Sequence, residues 1–325
     1  MCTAITWRTA DHYFGRNLDL ERSFGEAVTV TPRHFAFVFS EGQRLDSHYA
    51  MIGMAHVANG YPLYYDATNE KGLSMAGLYF PGNAVYGPAR PGKDNIPVYA
   101  FLPWVLGQCE TIAQVKALLA RLNLTDTPFS PQMPAAPLHW LAADKDSAIV
   151  IEAVAEGLQV YDDPAGVLTN NPPFPFHRMN LNNYMALTPH VPENRFAPQL
   201  PLAPYCQGMG GLGLPGDVSS ASRFVRAAFT KMNAVAGPGE AESVGQFFHI
   251  LDAVAYSRGC ARTAAGDCDI TVYSSCCNTD KGIYYYTTYE NRQITAVDMH
   301  REDLDGSAVA AYPLITSQQI RLQNG

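Results

Sequence analysis

MCTAITWRTADHYFGRNLD, residues 1–19, opens the chain and predicts a β-hairpin. Apolar and β-branched residues predict strands at 3–7 and 12–19, and Thr9-Ala10-Asp11 supplies the turn between them. Antiparallel pairing across this turn places residues 16–19 opposite residues 2–5. The second residue of the chain, a cysteine, is therefore expected beside the polar side chains at the end of the second strand.

The same reading along the rest of the chain predicts strands grouped between helices. Further strands are predicted at 27–32, 35–39, 50–55, 64–69, 73–78, 138–141, 148–153, 157–161, 270–274, 283–289 and 293–298. Helices are predicted from a Thr111 cap, from a Ser219 or Ser220 cap, and over about 243–255. This order differs from the regular alternation of a parallel sheet, so we expect an α+β fold with helices outside antiparallel sheets. No linker or repeat interrupts it, and residues 1–325 are predicted to form a single domain.

Composition excludes several classes of protein. The 325 residues are 47% hydrophobic and 16% charged, which allows a sizeable core and argues against disorder. The net charge of -8, without any basic run, argues against nucleic-acid binding. No stretch approaches the ~20 apolar residues of a membrane span, and the N-terminus lacks the features of a signal peptide. We therefore expect a cytoplasmic protein that binds neither nucleic acid nor membranes.

Seven cysteines are present, at 2, 109, 206, 260, 268, 276 and 277. Their odd number in a long chain argues against a secreted disulfide framework. Cys260, Cys268, Cys276 and Cys277 are the natural candidates for a redox or metal protein, but they lack the spacing of a zinc site. We expect no metal. Strand alternation predicts instead that Cys276 and Cys277 face different layers.

Cys2 is the main candidate for chemistry. Methionine aminopeptidase removes Met1 when the next side chain is small, and cysteine qualifies. The new terminus carries a thiol beside an α-amine whose ordinary pKa, ~7.7–8.0, suits a base near neutral pH. One residue can then supply both nucleophile and base. The alternative is an ordinary N-terminal tail with an inert cysteine.

Other polar residues can serve this terminus. Asp19 can hold the cationic amine and Arg16 can favour the thiolate, although a structural ion pair is the alternative. Asn170 follows a predicted strand end, where it can donate to an oxyanion or act only as a turn former before proline. Arg223 lies in the first turn of a predicted helix, where the macrodipole disfavours a cation. It therefore has either a site role or a carboxylate partner.

Longer motifs give the sequence a family resemblance. They are MCTAI (1–5), FGRNLD (14–19), VTVTPR (28–33), HYAMIGMA (48–55), YPLYYDATNEKGLSMAGL (61–78), VLTNNPPF (167–174), NLNNY (180–184), GLPGDVSSASRFVRAAF (213–229) and TVYSSCCNTDKGIYYYTTYENRQI (271–294). In this order, over nearly the whole chain, they resemble the choloylglycine hydrolase family of bile salt hydrolases and penicillin V acylases.

The resemblance implies a four-layered αββα N-terminal-nucleophile hydrolase fold and usually a homotetramer, without metal or organic cofactor. It implies that Cys2 is the nucleophile, that Asp19 holds its α-amine and that Arg16 lies beside the thiol. Asn170 is implied to contact the amine and the oxyanion region, and Arg223 completes the polar cluster.

One position departs from the bile-salt-hydrolase pattern. That pattern has an asparagine where this chain reads Ala76-Gly77-Leu78-Tyr79-Phe80, and tyrosine is the form more familiar from penicillin V acylases. The backbone N–H of Tyr79 can still serve the oxyanion hole, so the change bears on substrate preference. The longer stretches resemble bile salt hydrolases more closely.

Together these features predict hydrolysis of glycine- or taurine-conjugated bile salts through a thioester on Cys2. Penicillin V acylase activity is the alternative, and an inactive ligand-binding relative is a remote one. A steroid requires an apolar groove. The expected lining residues are Leu20, Phe24, Tyr61, Met133 and Leu138.

Overall fold

A computed structural model describes residues 1–39 and 43–324, whose strands and helices are as follows. The strands are β1 (Cys2–Arg8), β2 (His12–Leu20), β3 (Glu26–Thr31), β4 (Phe37–Val38), β5 (Arg44–Leu45), β6 (Met51–Ala58), β7 (Tyr61–Asn69), β8 (Ser74–Tyr79), β9 (Asp94–Pro97), β10 (Leu122–Thr125), β11 (Leu138–Ala143), β12 (Ala148–Val154), β13 (Gly157–Asp162), β14 (Val167–Leu168), β15 (Ile270–Asn278), β16 (Ile283–Thr288), β17 (Thr295–Asp298) and β18 (Ala310–Pro313). The α-helices are α1 (Phe101–Leu106), α2 (Ile112–Leu119), α3 (Phe174–Asn180), α4 (Ser220–Asn233) and α5 (Glu240–Asp252).

Two large antiparallel sheets dominate the described residues. The first has the order β14-β1-β2-β15-β16-β17, and the second has the order β13-β12-β11-β8-β7-β6-β3-β18. β1 and β2 of the first sheet pack on β7 and β8 of the second. Strands that are distant in sequence, such as β2 and β15, become neighbours in this way.

Helices cover the outer face of each sheet and create two cores. One core lies between the sheets and under α4 and α5, and contains Phe14, Phe224 and Phe247. The other lies between the second sheet and α1 and α2, and contains Trp104 and Trp140. The layers therefore run helix, sheet, sheet, helix, which confirms the predicted αββα architecture. No helix in the described ranges is long and apolar enough to cross a membrane.

The opening hairpin has the predicted register. Cys2 lies opposite Leu18, and Ala4 lies opposite Arg16. β14 pairs with the other edge of β1, and β15 pairs with the other edge of β2. The start of β1 is thus held between two other strands of the sheet, and the side chain of Cys2 is buried.

Several elements differ from their sequence-based bounds. α1 and α3 were not predicted, because α1 is apolar on every side and α3 begins after two prolines. α5 begins at Glu240, earlier than the expected 243, since Glu242 accepts a hydrogen bond from the N–H of Gly239 at 2.7 Å. The Thr111 and Ser219 caps are confirmed, because each side chain accepts the expected first-turn N–H.

The adjacent cysteines of β15 are both buried and face opposite ways. The Cys277 thiol lies by Thr68 of the second sheet, whereas the charge of Glu240 on α5 acts on Cys276. Burial raises the pKa of each thiol, to about 12 for Cys277. These two cysteines are inert core residues rather than a reactive pair.

Candidate active site

Cys2 lies at the free end of β1 and is 3% exposed. Its backbone N–H donates to Oδ1 of Asn170 at 2.7 Å. Met1 is present in the chain, where its amine donates to the carbonyl of Asp19 and its carbonyl accepts the N–H of Asp19 at 2.8 Å. The nitrogen that removal of Met1 converts into an α-amine is therefore already held by the Asn170 side chain.

Asn170 follows the short strand β14 and is completely buried. Its Nδ2 donates to the carbonyl of Tyr79 at 2.7 Å. Its Oδ1 accepts from Nη2 of Arg223 at 2.8 Å, in addition to the N–H of Cys2. A carboxamide nitrogen has two hydrogens, so Asn170 has a second N–H to offer to a developing oxyanion near Cys2.

Arg223 reaches the same point from the first turn of α4. Its buried guanidinium donates through Nη1 to the carbonyl of Cys2 and to Oγ1 of Thr3, the latter at 2.6 Å. Its Nε donates to the carbonyl of Val218 at 3.1 Å. These bonds hold the backbone of Cys2 and the carboxamide of Asn170 together, and no carboxylate of the described residues pairs with Arg223.

Arg16 is completely buried and occupies a gap between β7 and β8. Its Nη1 donates to the carbonyls of Tyr65 at 3.0 Å and of Gly77 at 2.6 Å. Burial alone would lower the pKa of Arg16, but the acidic groups around it, first Cys2 and then Tyr273 and Asp66, raise that pKa overall. A permanent cation thus lies close enough to Cys2 for the charges of the two groups to interact.

Asp19 is completely buried at the end of β2. Thr271 donates to its Oδ1 at 2.6 Å, and Oδ2 has no hydrogen-bond partner among the described residues. Burial raises the pKa of Asp19, while the charges of Arg223, the N-terminal amine and Arg16 oppose that rise. One carboxylate oxygen of Asp19 thus has no partner in the described part of the chain, and the charge of the N-terminal amine acts on this residue.

The backbone of Tyr79 faces this cluster. The N–H of Phe80 donates to the carbonyl of Pro137 at 2.8 Å, so antiparallel alternation turns the N–H of Tyr79 away from β11. The pairing of β7 with β8 ends at Asp66 and Ala76, because the strands diverge where Arg16 enters. The N–H of Tyr79 therefore points to the same side of β8 as the Tyr79 carbonyl. That carbonyl accepts the hydrogen bond from Asn170.

An apolar cavity of about 550 Å³ adjoins the cluster. Tyr65 and Gly77, whose carbonyls bind Arg16, form part of its wall. Phe24, Met133 and Leu138 form part of the cavity wall. The remaining wall residues are His56, Leu63, Tyr64, Val98, Tyr99, Leu102, Phe129, Gln132, Pro134 and Ala136. This volume and lining suit a largely apolar ligand.

Two expected lining residues lie outside the cavity wall. Leu20 packs against the core between the sheets, where it pairs with Ile270. Tyr61 lies behind the wall, with its ring 6.0 Å from that of Tyr99 and 5.5 Å from that of Phe129. The structure thus gives Tyr61 a supporting position, since it contacts the rings that form the cavity surface.

Several polar residues that surround the site had no predicted role in it. Thr271 binds Asp19, and Ser220 accepts the N–H of Asn170 at 2.8 Å. His139 and His177 bind the carbonyls of Thr169 and Asn170, both at 2.9 Å. The only available signal was polar residues inside apolar strands and helices, and that pattern does not say which carbonyl each one binds.

The sequence and the fold of this chain are similar to those of several known proteins. The model of the family described as linear amide C–N hydrolases, choloylglycine hydrolase family, matches residues 2–312. A bile salt hydrolase/transferase from Lactiplantibacillus plantarum is 51% identical, over 98% of either chain. The structure of the mutant C2A conjugated bile acid hydrolase from Clostridium perfringens is 42% identical, covers 100% of both chains and has a TM-score of 0.92.

A penicillin V acylase from Agrobacterium tumefaciens shares the fold at a TM-score of 0.77 and 17% identity, over 98% of this chain and 94% of that one. The family match spans nearly the whole chain and includes the residues that surround Cys2. The chain belongs to the choloylglycine hydrolase family of linear amide C–N hydrolases.

Proposed function

We propose that this protein hydrolyses the amide bond that joins a steroid carboxylate to glycine or taurine, with Cys2 as the nucleophile. The observation that carries the proposal is the convergence of Asn170, Arg223 and Arg16 on a buried terminal cysteine beside an apolar cavity. The names of the relatives, bile salt hydrolase/transferase and conjugated bile acid hydrolase, give the substrate class.

Removal of Met1 is the first requirement. It turns the peptide nitrogen of Cys2 into an α-amine, which retains Oδ1 of Asn170 as an acceptor and gains Oδ2 of Asp19. The terminal amine then has carboxylate and carboxamide partners on a rigid sheet edge. Its ordinary pKa near ~7.7–8.0 suits proton transfer at neutral pH.

Acylation follows from this arrangement. The thiolate of Cys2, stabilised by the Arg16 cation, attacks the amide carbonyl carbon and forms a tetrahedral oxyanion. The second N–H of Asn170 and the N–H of Tyr79 donate to that oxyanion. The α-amine passes a proton to the departing nitrogen as the C–N bond breaks, so glycine or taurine leaves and the steroid acyl group remains as a thioester.

Deacylation uses the same groups. The α-amine accepts a proton from water, whose oxygen attacks the thioester carbonyl, and the thiolate leaves. An amine in place of water gives a new amide instead of the free acid. Transfer of the acyl group to other amines is therefore a side activity of the same site, in keeping with the hydrolase/transferase name of the relative from Lactiplantibacillus plantarum.

The cavity supports a steroid over smaller acyl groups. Its walls are mainly apolar, and about 550 Å³ exceeds what a phenoxyacetyl group fills. Tyr79 is the one feature that favours penicillin V, and its side chain is 44% exposed rather than part of the cavity wall. Penicillin V hydrolysis is thus the second candidate, with the same mechanism.

The test offers glycocholate, taurocholate and penicillin V to one preparation and measures the released amine. We expect the conjugated bile salts to be cleaved faster, and faster cleavage of penicillin V would overturn the substrate assignment. Cys2→Ala should abolish turnover with little change in melting temperature, which also separates an enzyme from an inactive binding relative. Cys206→Ala, at an exposed thiol, is the matched control.

The predicted homotetramer and cytoplasmic location stay predictions. Sedimentation equilibrium of the purified protein tests the first, and fractionation of the source cells tests the second.

A further inference from the structure

The loop that presents Asn170 is held by buried side chains from three different elements. The N–H of Asn170 donates to Oγ of Ser220 at 2.8 Å, and its carbonyl accepts from Nε2 of His177 at 2.9 Å. The preceding carbonyl, of Thr169, accepts from Nε2 of His139 at 2.9 Å. Because β14 is only two residues long, few ladder hydrogen bonds hold this loop.

His139 makes a second hydrogen bond, to a buried carboxyl group. Its Nδ1 lies 3.0 Å from Oε1 of Glu152, and the two side chains are 0% and 1% exposed. The same Oε1 accepts the backbone N–H of Phe174 at 3.0 Å. The ring of His139 also stacks on Phe80, with centroids 4.1 Å apart and planes 4° apart. The imidazole is therefore fixed on two edges and one face.

The hydrogen bonds of His139 determine how many protons His139 and Glu152 carry together. A carbonyl oxygen only accepts, so Nε2 of His139 must carry a hydrogen. One further hydrogen must lie between Nδ1 and Oε1 of Glu152, on either atom. Imidazolium with carboxylate and imidazole with carboxylic acid have the same net charge of zero. The pair thus orients the imidazole without adding net charge near Asn170.

We propose that His139, oriented by Glu152, is a positioning residue that sets the place of Asn170 by holding the Thr169 carbonyl. The inference rests on the proposed function, in which Asn170 donates to the oxyanion. His139 touches neither Cys2 nor the cavity. It acts on the reaction by fixing the backbone from which the carboxamide of Asn170 projects.

Two substitutions separate the two hydrogen bonds of His139. In His139→Gln the amide nitrogen lies as many bonds from Cβ as Nε2, so the bond to Thr169 is kept. In His139→Asn the amide nitrogen replaces Nδ1, so the bond to Glu152 is kept and the bond to Thr169 is lost. Each variant loses one buried hydrogen bond, so comparable falls in melting temperature are expected.

The expected kinetic effects differ. For glycocholate, His139→Asn should lower kcat on the order of 100-fold, since small misplacement of catalytic groups has effects of this size. KM should change little, because both chemical steps use the same oxyanion donors. His139→Gln should restore most of the lost kcat. Equal losses in the two variants, or a kcat for His139→Asn near that of the wild type, would overturn the proposal.

A matched control lies at the far end of the same hairpin. His12 is also buried with both ring nitrogens hydrogen-bonded, to Thr6 at 2.6 Å and Thr279 at 2.8 Å, and it pairs with Arg8 rather than with residues near Cys2. His12→Asn should lower the melting temperature without changing kcat. A kcat loss equal to that of His139→Asn would assign both effects to general destabilisation and overturn the proposal.

A crystal structure of the His139→Asn variant would test this inference independently of the proposed function. A wild-type enzyme that cleaves no conjugated bile salt would refute the function, yet the position of Asn170 in the variant remains measurable. We expect its carboxamide to lose its hydrogen bond to the Tyr79 carbonyl. An unmoved Asn170 would contradict the positioning role whatever the substrate is.

Discussion

The guanidinium of Arg223 and the carboxamide of Asn170 are joined by a hydrogen bond of 2.8 Å from Nη2 to Oδ1. A guanidinium group has donors only, so this contact fixes which end of the carboxamide is oxygen. Nδ2 must then face Tyr79, where its hydrogens meet the carbonyl and the proposed oxyanion position. Arg223 on α4 thereby determines the orientation of the carboxamide group of Asn170, which lies 53 residues earlier in the chain.

Asn170→Asp tests the donor end of this carboxamide. The new carboxylate keeps an oxygen towards Arg223 but places a second oxygen against the Tyr79 carbonyl and the developing oxyanion. We expect kcat to fall by about 10²–10³, as for loss of an oxyanion donor. Steady-state kinetics with glycocholate measure it.

The neighbouring Asn171 supplies the control for that change. Its Nδ2 donates to the carbonyl of Pro81 at 2.7 Å, without contacting Cys2. Asn171→Asp should leave kcat close to the wild-type value. A similar loss in both variants would attribute the effect to a disturbed loop rather than to oxyanion binding.

Arg223→Lys tests the branched shape of the guanidinium. Lysine keeps the charge, but a single ammonium cannot reach the Cys2 carbonyl, Thr3 and Asn170 together. We expect kcat to fall on the order of 100-fold through misplacement of Asn170, with a lower melting temperature.

One turn along the same helix, Arg226 provides a comparable arginine that donates to the carbonyls of Ala253 and Pro215. Arg226→Lys should also reduce the melting temperature but leave kcat nearly unchanged. If Arg223→Lys retained full activity, the proposed role of the guanidinium would be wrong.

His177 links this loop to pH-dependent stability. Burial lowers the pKa of His177 from 6.5 to about 4, although its bond to the Asn170 carbonyl favours the charged form. As pH falls from 6.5 to 4 the unfolded chain binds a proton that the folded chain does not, so stability present above pH 6.5 is lost. The loss amounts to about 3 kcal/mol at most.

His177→Gln should therefore flatten the decrease in the free energy of unfolding between pH 6.5 and 4. Burial lowers the pKa of His12 to about 4 as well, so His12→Gln should flatten it to a similar extent. His300 is exposed, and His300→Gln should leave the slope unchanged. Urea unfolding at several pH values measures these slopes, and an unchanged slope in His177→Gln would contradict its burial as a neutral group.

Leu138→Ala tests the cavity as the site of the steroid. Leu138 lines the cavity and lies opposite Tyr79 in the sheet. Removal of its side chain should raise KM for glycocholate by about tenfold through lost apolar contact, with kcat little changed.

Leu158 on β13 of the same sheet is half-buried and lies outside the cavity wall. Leu158→Ala should not change KM. If Leu138→Ala also left KM unchanged, the acyl group would have to bind elsewhere.

The sequence was sufficient for the opening hairpin because its register depends on a local pattern. The alternation of β1 and β2 sets their register, and the register brings Arg16 and Asp19 towards Cys2. Asn170 and Arg223 were predicted as site residues from the family resemblance and from their positions at a strand end and a helix start. The bonds that join them cross 53 residues and could not be derived from spacing.

The cavity wall was less predictable. Phe24, Met133 and Leu138 reach it, but Leu20 and Tyr61 do not, since packing between layers decides which apolar side chains face the space. His139 was missed for a related reason. The role of a polar residue in a strand can be assigned only when the carbonyl group that it contacts is known.

The most direct test of the account is mass spectrometry of protein quenched in acid during turnover of glycocholate. The account predicts an N-terminal peptide that begins at Cys2, without Met1, and carries the cholyl group as a thioester that hydroxylamine removes. Active protein that retains Met1, or an acyl group found on another residue, would contradict it.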